Sequence, residues 1–184
     1  GTTFSVIPNP IVEMAARPDL SQKTILNVGR LGGKKNQGAL IDMFAGLSAA
    51  DPDWKLIFAG DGPNRSALEE KTRKLGLQHR IEFRGVVRDL EPIYREASIF
   101  AFTSLLEGFP NALGEAMRAG LPVIAYDCTT GPSELITHGV DGFLISMDSI
   151  SIDSIAMEST SMDSTPRGVS TTYKEHLSKL MASR

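Results

Sequence analysis

The stretch Thr24–Ser48, TILNVGRLGGKKNQGALIDMFAGLS, carries the pattern on which the fold turns. It opens with a short apolar run, Thr24–Gly29, and passes through a loop of glycines and cations, Gly29–Gln37. It continues over Asn36–Ser48, where Leu40, Ile41, Phe44 and Leu47 recur at three- and four-residue spacing. The first signal suits a buried strand, the second a helix with one apolar stripe. The pair repeats along the chain. Further strands are expected at Trp54–Ala59, Arg80–Arg84, Ser98–Phe102, Leu121–Ala125 and Gly142–Ile145, and helices at Asn64–Leu75, Leu90–Glu96, Asn111–Ala119 and Pro132–Thr137. Gly76 and Gly120 stand where C-terminal caps belong. Apolar strands alternating with amphipathic helices predict an α/β fold, a Rossmann-like parallel six-stranded sheet with helices on both faces.

Composition bounds the function. The 184 residues are 41% hydrophobic and 22% charged, with net charge -3, enough for one substantial core. Such mild acidity gives no support to nucleic-acid binding, which draws on a basic field. Cys128, the single cysteine, has no partner for an internal disulfide, and its expected role is that of a small buried side chain. His79, His138 and His176 are scattered, and no metal-ligand spacing is present, so no metal is expected. No apolar run reaches the roughly 18 residues that span a bilayer. The opening Gly-Thr-Thr-Phe lacks the basic region of a signal peptide, and a cytoplasmic location, or a peripheral one at the inner face of the membrane, is expected.

In an open parallel sheet, ligands bind beyond the carboxyl ends of the strands. The segments that follow the expected strands are Gly29–Gln37, Gly60–Pro63, Gly85–Asp89, Thr103–Met117 and Tyr126–Pro132, so glycines, cations and polar groups gather on one rim. Arg30 and Lys35 lie on a glycine-rich turn that opens a helix, a setting suited to phosphate. Each charge-assisted hydrogen bond there contributes roughly 1.5–3 kcal/mol, and two such cations carry much of a micromolar affinity for a pyrophosphate. The stretch Leu105–Met117, LLEGFPNALGEAM, adds two carboxylates. Glu107 is expected on the loop over the rim, Gly108 to let a ligand approach the backbone, and Asn111 to act as the N-cap of the next helix. Glu115 follows one turn in, where a carboxylate suits paired hydroxyls. Two cations, a helix N-terminus and two carboxylates describe a site for a pyrophosphate flanked by hydroxylated rings, as in a nucleotide sugar.

Competing motifs fail. Gly33-Lys34 is followed by Lys35 rather than Ser or Thr, so there is no Walker loop, and GxGxxG is absent after the first strand. Asp51-Pro52-Asp53 has the form of a metal-binding DxD but precedes a strand, which puts it on the opposite edge.

Taken together, GRLGGKKNQ (29–37), LIFAGDGPNRSALE (56–69), EFRGVVRDL (82–90), SLLEGFPNALGEAMRAGLPVIA (104–125) and GPSELITHGVDGFL (131–144) closely resemble the C-terminal domain of glycosyltransferase family 4. The resemblance runs from about Val6 to Ile145. It implies one half of a GT-B fold and transfer of a sugar with retention of configuration, with neither a metal nor a cofactor. By matching position, Arg30 and Lys35 would neutralise the donor diphosphate, and Glu107 would contact the donor sugar together with backbone amides from Gly108 to Asn111, with Phe109, Pro110 and Ala112 among the donor-binding residues. Glu115 would hold the ribose, Val86 and Val87 would lie beside the base, Gly60, Asp61 and Gly62 would shape the wall, and Ser104 and Leu113 would be lesser contacts. Catalysis would rest on Glu107, Arg30 and Lys35.

The resemblance also divides the chain. Residues 1–146 would form the nucleotide-sugar-binding domain, with 1–12, containing VIPNPI (6–11), as the interdomain crossover and the N-terminal acceptor domain missing. A glycan or lipid-linked acceptor would bind through that domain. Residues 147–170 read as a low-complexity Ser/Asp/Met segment in which MDSIS, IDSIA, MESTS and MDSTP repeat, and 171–184 as a C-terminal helix. AYDCTTGPSE (125–134) resembles members that use UDP-hexoses or UDP-N-acetylhexosamines. Two other readings stay open: a non-catalytic nucleotide-sugar binding module, and a sugar-nucleotide epimerase of the same architecture.

Overall fold

The computed structural model describes residues 17–48, 50–147 and 167–183. The expected crossover, residues 1–12, and residues 148–166 of the repeat lie outside the described residues. Six strands, β1 (Thr24–Val28), β2 (Lys55–Ala59), β3 (Ile81–Gly85), β4 (Ile99–Phe102), β5 (Val123–Asp127) and β6 (Gly142–Ser146), form one sheet in the order β3-β2-β1-β4-β5-β6, every pairing parallel. The helices are α1 (Gln37–Ser48), α2 (Arg65–Lys74), α3 (Glu91–Glu96), α4 (Asn111–Ala119), α5 (Pro132–Leu135) and α6 (Arg167–Ala182), with a 3-10 turn at Gly33–Lys35. The expected α/β architecture with a parallel six-stranded sheet is the one observed.

Side-chain alternation along each strand builds two cores. On one face Ile25, Leu56, Phe58, Ile99, Ala101, Ile124 and Tyr126 pack with Leu40, Ile41 and Phe44 of α1, Leu68 of α2, and Tyr173 and Leu177 of α6. On the other, Leu26, Ile57, Phe100, Phe102, Val123 and Ala125 pack with Ile93 and Tyr94 of α3 and Leu113, Ala116 and Ala119 of α4. Burying each large apolar side chain contributes about 1.5–3 kcal/mol, and both strand faces therefore read as apolar in sequence. Helix α6 is anchored by Tyr173, whose hydroxyl donates to the Ile124 carbonyl (3.0 Å) and whose ring meets Tyr126 edge-on (4.8 Å).

Some element bounds differ from expectation: α5 ends at Leu135 rather than Thr137, and α6 begins at Arg167, inside the segment 147–170 read as low complexity. Strand β5 begins at Val123 rather than Leu121, because the Leu121 N–H closes α4 on the Ala116 carbonyl (3.0 Å) and Pro122 has no N–H to give. Gly120, in a left-handed conformation (φ 88°), caps α4 as expected. Asn111 does not cap its start: Pro110 holds that position and Asn111 is the first helical residue. The Pro110 carbonyl accepts from the N–H groups of Leu113 (3.0 Å) and Gly114 (3.2 Å), which winds the first turn without a side-chain cap.

Candidate functional site

The strand order reverses between β1 and β4, which pair with each other at the middle of the sheet while their neighbours run outward. A crevice opens at such a switch point because the following connections leave in opposite directions. Here the connections are Gly29–Asn36 after β1 and Thr103–Pro110 after β4.

After β1 the chain tightens into the Gly33–Lys35 turn, which Asn36 ends in a left-handed conformation (φ 51°, ψ 36°). Asn tolerates that region better than most residues, and Asn36 is the only non-glycine with positive φ among the described residues. The turn sends the Lys35 side chain back over the end of β4. Its ammonium forms an ion pair with Glu107 and lies 5.8 Å from the centre of the Phe102 ring. Lys35 is 28% exposed and Glu107 11%, so the pair is sheltered but reachable. Arg30 is exposed, with its carbonyl accepting from Gln37 Nε2 (3.0 Å). Arg30, Lys34, Lys35, Gly32, Gly33, Pro63 and Leu106 line a cleft of about 360 Å³, within the range of small-ligand sites.

Hydrogen bonds join this loop to its neighbours. Thr103 Oγ1 donates to the Lys35 carbonyl (2.9 Å) and Leu105 N–H to the Lys34 carbonyl (2.8 Å). Leu31 N–H donates to the Asp61 carbonyl (3.0 Å), and Gly60 N–H to the Gly85 carbonyl (2.7 Å). At Gly60 (φ +146°) a Cβ would stand 1.9 Å from the Gly29 carbonyl oxygen, so only glycine admits this approach. Beyond β5, Thr130 Oγ1 donates to the Glu107 carbonyl. Gly131 (φ +101°) lies so near Pro110 that a Cβ would meet its Cδ at 2.3 Å. The loops after five strands are one connected rim.

The residues singled out from sequence divide on this geometry. Arg30 and Lys35 line one cleft, and Lys35 pairs with Glu107, which is not itself among the residues that line it. Gly108 faces open space, Phe109 and Ala112 are half-buried, Asn111 is exposed, and Pro110 is buried against Gly131. No acceptor meets the Ala112 N–H among the described residues, whereas the Asn111 N–H is taken by the Phe109 carbonyl (3.0 Å). Asp61 folds onto its own loop, accepting from Gly62 N–H (2.7 Å) 3.6 Å from Arg65. Val86 is exposed and Val87 half-buried on the second core. Ser104 is buried at the end of β4. Leu113 does not reach the rim: its side chain is fully buried in the second core and its N–H is engaged. Glu115 does not line the cleft; its carboxylate is met from below by the Tyr94 hydroxyl (3.0 Å).

Lys34, Tyr94, Thr103 and Thr130 were not singled out from sequence. Lys34 had a signal, a second cation beside Lys35. The others act across long separations and leave none in the local pattern. Burial, and then the charge of Glu107, push the Cys128 thiol up to about 11, so it is a neutral, buried group. Both carboxylates of Asp51-Pro52-Asp53 are held by Lys23 (2.9 and 3.1 Å) on the amino edge, as their position implied. Among the described residues no helix is long and apolar enough to cross a membrane.

The family model for glycosyl transferases, group 1, matches residues 14–162. The chain is 38% identical over 128 residues to the amylovoran biosynthesis glycosyltransferase AmsD of Erwinia amylovora, covering 70% of this chain and 35% of that one. Its structure is similar to the lipopolysaccharide outer core galactosyltransferase WaaB (TM-score 0.71, 26% identity, 96% of this chain and 45% of that one). It is also similar to HepE of Anabaena in complex with UDP-glucose (TM-score 0.62, 26% identity, 88% and 48%). The chain spans less than half the length of each of these relatives.

Proposed function

We propose that this chain, which belongs to the group 1 glycosyl transferases, is the donor-binding half of a retaining GT-B enzyme that transfers a hexose or N-acetylhexosamine from UDP to an acceptor hydroxyl. The observation that carries the proposal is the meeting of Lys35 with Glu107 at the β1/β4 switch point, beside a cleft that Arg30 and Lys34 also line. Three cations along a glycine-bordered cleft suit a diphosphate. The bond that breaks joins the anomeric carbon to a diphosphate oxygen; the new bond joins that carbon to the acceptor oxygen on the same face. The acceptor proton passes to the departing diphosphate. Arg30 and Lys35 stabilise the charge that grows on that leaving group, and every 1.36 kcal/mol of such stabilisation is tenfold in rate. With cations at the phosphates, the reaction in this proposal calls for neither metal nor cofactor, and Asp51 and Asp53 take no part. Glu107 orients the donor sugar rather than forming a covalent intermediate. The acceptor, a glycan or lipid-linked sugar of a polysaccharide, binds through a second domain at the cytoplasmic side. The UDP assignment draws on the similarity to HepE, which has been seen with UDP-glucose.

Calorimetric titration with UDP, GDP and ADP tests the reading. UDP should bind with micromolar affinity and the others more weakly. Absence of binding by all three, with Arg30 and Lys35 intact, would remove the diphosphate assignment.

A further inference from the structure

Tyr94 is fully buried, yet its hydroxyl meets the half-buried Glu115 carboxylate on α4, outside the cleft that Lys35 lines. The ring projects from α3 beneath α4, 6.1 Å from the ring of Phe100, and the hydroxyl lies 3.0 Å from Glu115 Oε2 and 3.2 Å from the Ala112 carbonyl. A phenol has one proton for these two acceptors. The carboxylate is the nearer and the charged one, and the Ala112 carbonyl also serves the α4 ladder, so the proton points to Glu115. Burial, and then the charge of Glu115, raise the phenol's pKa, and it remains a donor throughout the neutral range. Because the ring is held in the core, the position of its hydroxyl is fixed by packing rather than by solvent. One oxygen of Glu115 thereby takes the Tyr94 hydrogen bond, which leaves the other oxygen of this half-buried carboxylate with lone pairs for a ligand hydroxyl.

We infer that Tyr94 is a positioning residue that orients the Glu115 carboxylate toward the ribose of a nucleoside diphosphate and so sets the preference for ribose over deoxyribose. The inference rests on the donor-binding proposal together with the ribose role that the resemblance implies for Glu115, and adds a specificity determinant that itself touches no ligand. A residue in the core that only fills space would affect all ligands alike; an orienting residue affects only ligands with the hydroxyl that Glu115 reads.

The test is calorimetry on the intact protein with UDP and 2′-deoxy-UDP, for wild type, Tyr94→Phe and Glu115→Gln, with thermal melts as a check on folding. A hydrogen bond to a charged group corresponds to a wild-type preference for UDP of about 10- to 160-fold. Tyr94→Phe should weaken UDP binding about 5- to 10-fold and leave 2′-deoxy-UDP nearly unchanged, narrowing the preference; Glu115→Gln should abolish it. If Tyr94→Phe keeps the wild-type ratio while Glu115→Gln loses it, the orienting role is overturned and the ribose reading stands. If wild type binds both ligands equally, the ribose reading falls and takes the inference with it. Should Tyr94→Phe not fold, Tyr94→Met fills the same pocket without a hydroxyl and carries the same comparison.

Discussion

Replacing Glu107 by Gln separates two claims on a single ammonium. Lys35 is paired with Glu107, and a donor diphosphate would draw on the same charge. The partners are 28% and 11% exposed, which places the pair between two regimes. Solvated pairs contribute about 0.2–1 kcal/mol, and breaking buried ones costs about 3–5 kcal/mol. Coulomb's law bounds the opposing effect. A carboxylate about 4 Å from a phosphate oxygen repels it by about 1 kcal/mol per unit charge in water and about 4 kcal/mol at an effective dielectric of 20. With about 1–2 kcal/mol relieved when the charge is removed, UDP should bind Glu107→Gln about 5- to 30-fold more tightly than wild type. Gln keeps the size of the side chain, so the loop packing is preserved. Lys35→Met should weaken UDP binding by about 10- to 160-fold, the worth of a charge-assisted hydrogen bond. Titration calorimetry at about 0.15 M salt reads both, with ionic strength held fixed because the exposed part of the interaction is screened. Unchanged or weaker UDP binding in Glu107→Gln, beside the expected loss in Lys35→Met, would refute competition for one cation.

Two further outcomes follow from the packing of the rim. Gly60→Ala puts a Cβ against the Gly29 carbonyl at a φ that side chains rarely adopt; overpacking and backbone strain together cost about 2–4 kcal/mol, lowering Tm by roughly 5–15 °C. A melt within a degree of wild type would contradict the close approach. The Cys128 thiol, pushed up to about 11, keeps its proton in the folded state while the unfolded chain releases it near 9. Its contribution to stability is therefore intact below about pH 9 and lost as pH rises through about 11. Urea midpoints at pH 8 and 10.5 should fall less for Cys128→Ala than for wild type; an identical fall would deny the thiol a part.

Much of this fold was legible because strands buried on both faces are apolar at consecutive positions, as in Ile99–Phe102, where all four residues are buried. Arg30, Lys35 and Glu107 were legible as rim residues because each follows such a strand within a few positions. What could not be read was contact between distant segments. Lys35 and Glu107 are 72 positions apart, and Tyr94 and Glu115 are 21 apart on different helices. Leu113 shows the converse error. The resemblance implied a lesser ligand contact for it, yet its side chain is buried in the core with the strands and α3. The Asn111 cap failed for a local reason, since Pro110 already supplies the carbonyl that winds the turn.

The stitching of the rim bears on how such a domain changes its donor. Each of the five loops is hydrogen-bonded to, or packed against, a neighbour, so grafting one from another protein would break bonds in the loops beside it. Point substitution at the outward-facing Val86 and Leu106, which are 77% and 38% exposed, disturbs none of those backbone bonds. Divergence of donor preference on this scaffold, and its redesign, should proceed by exchanging single side chains on an unaltered backbone.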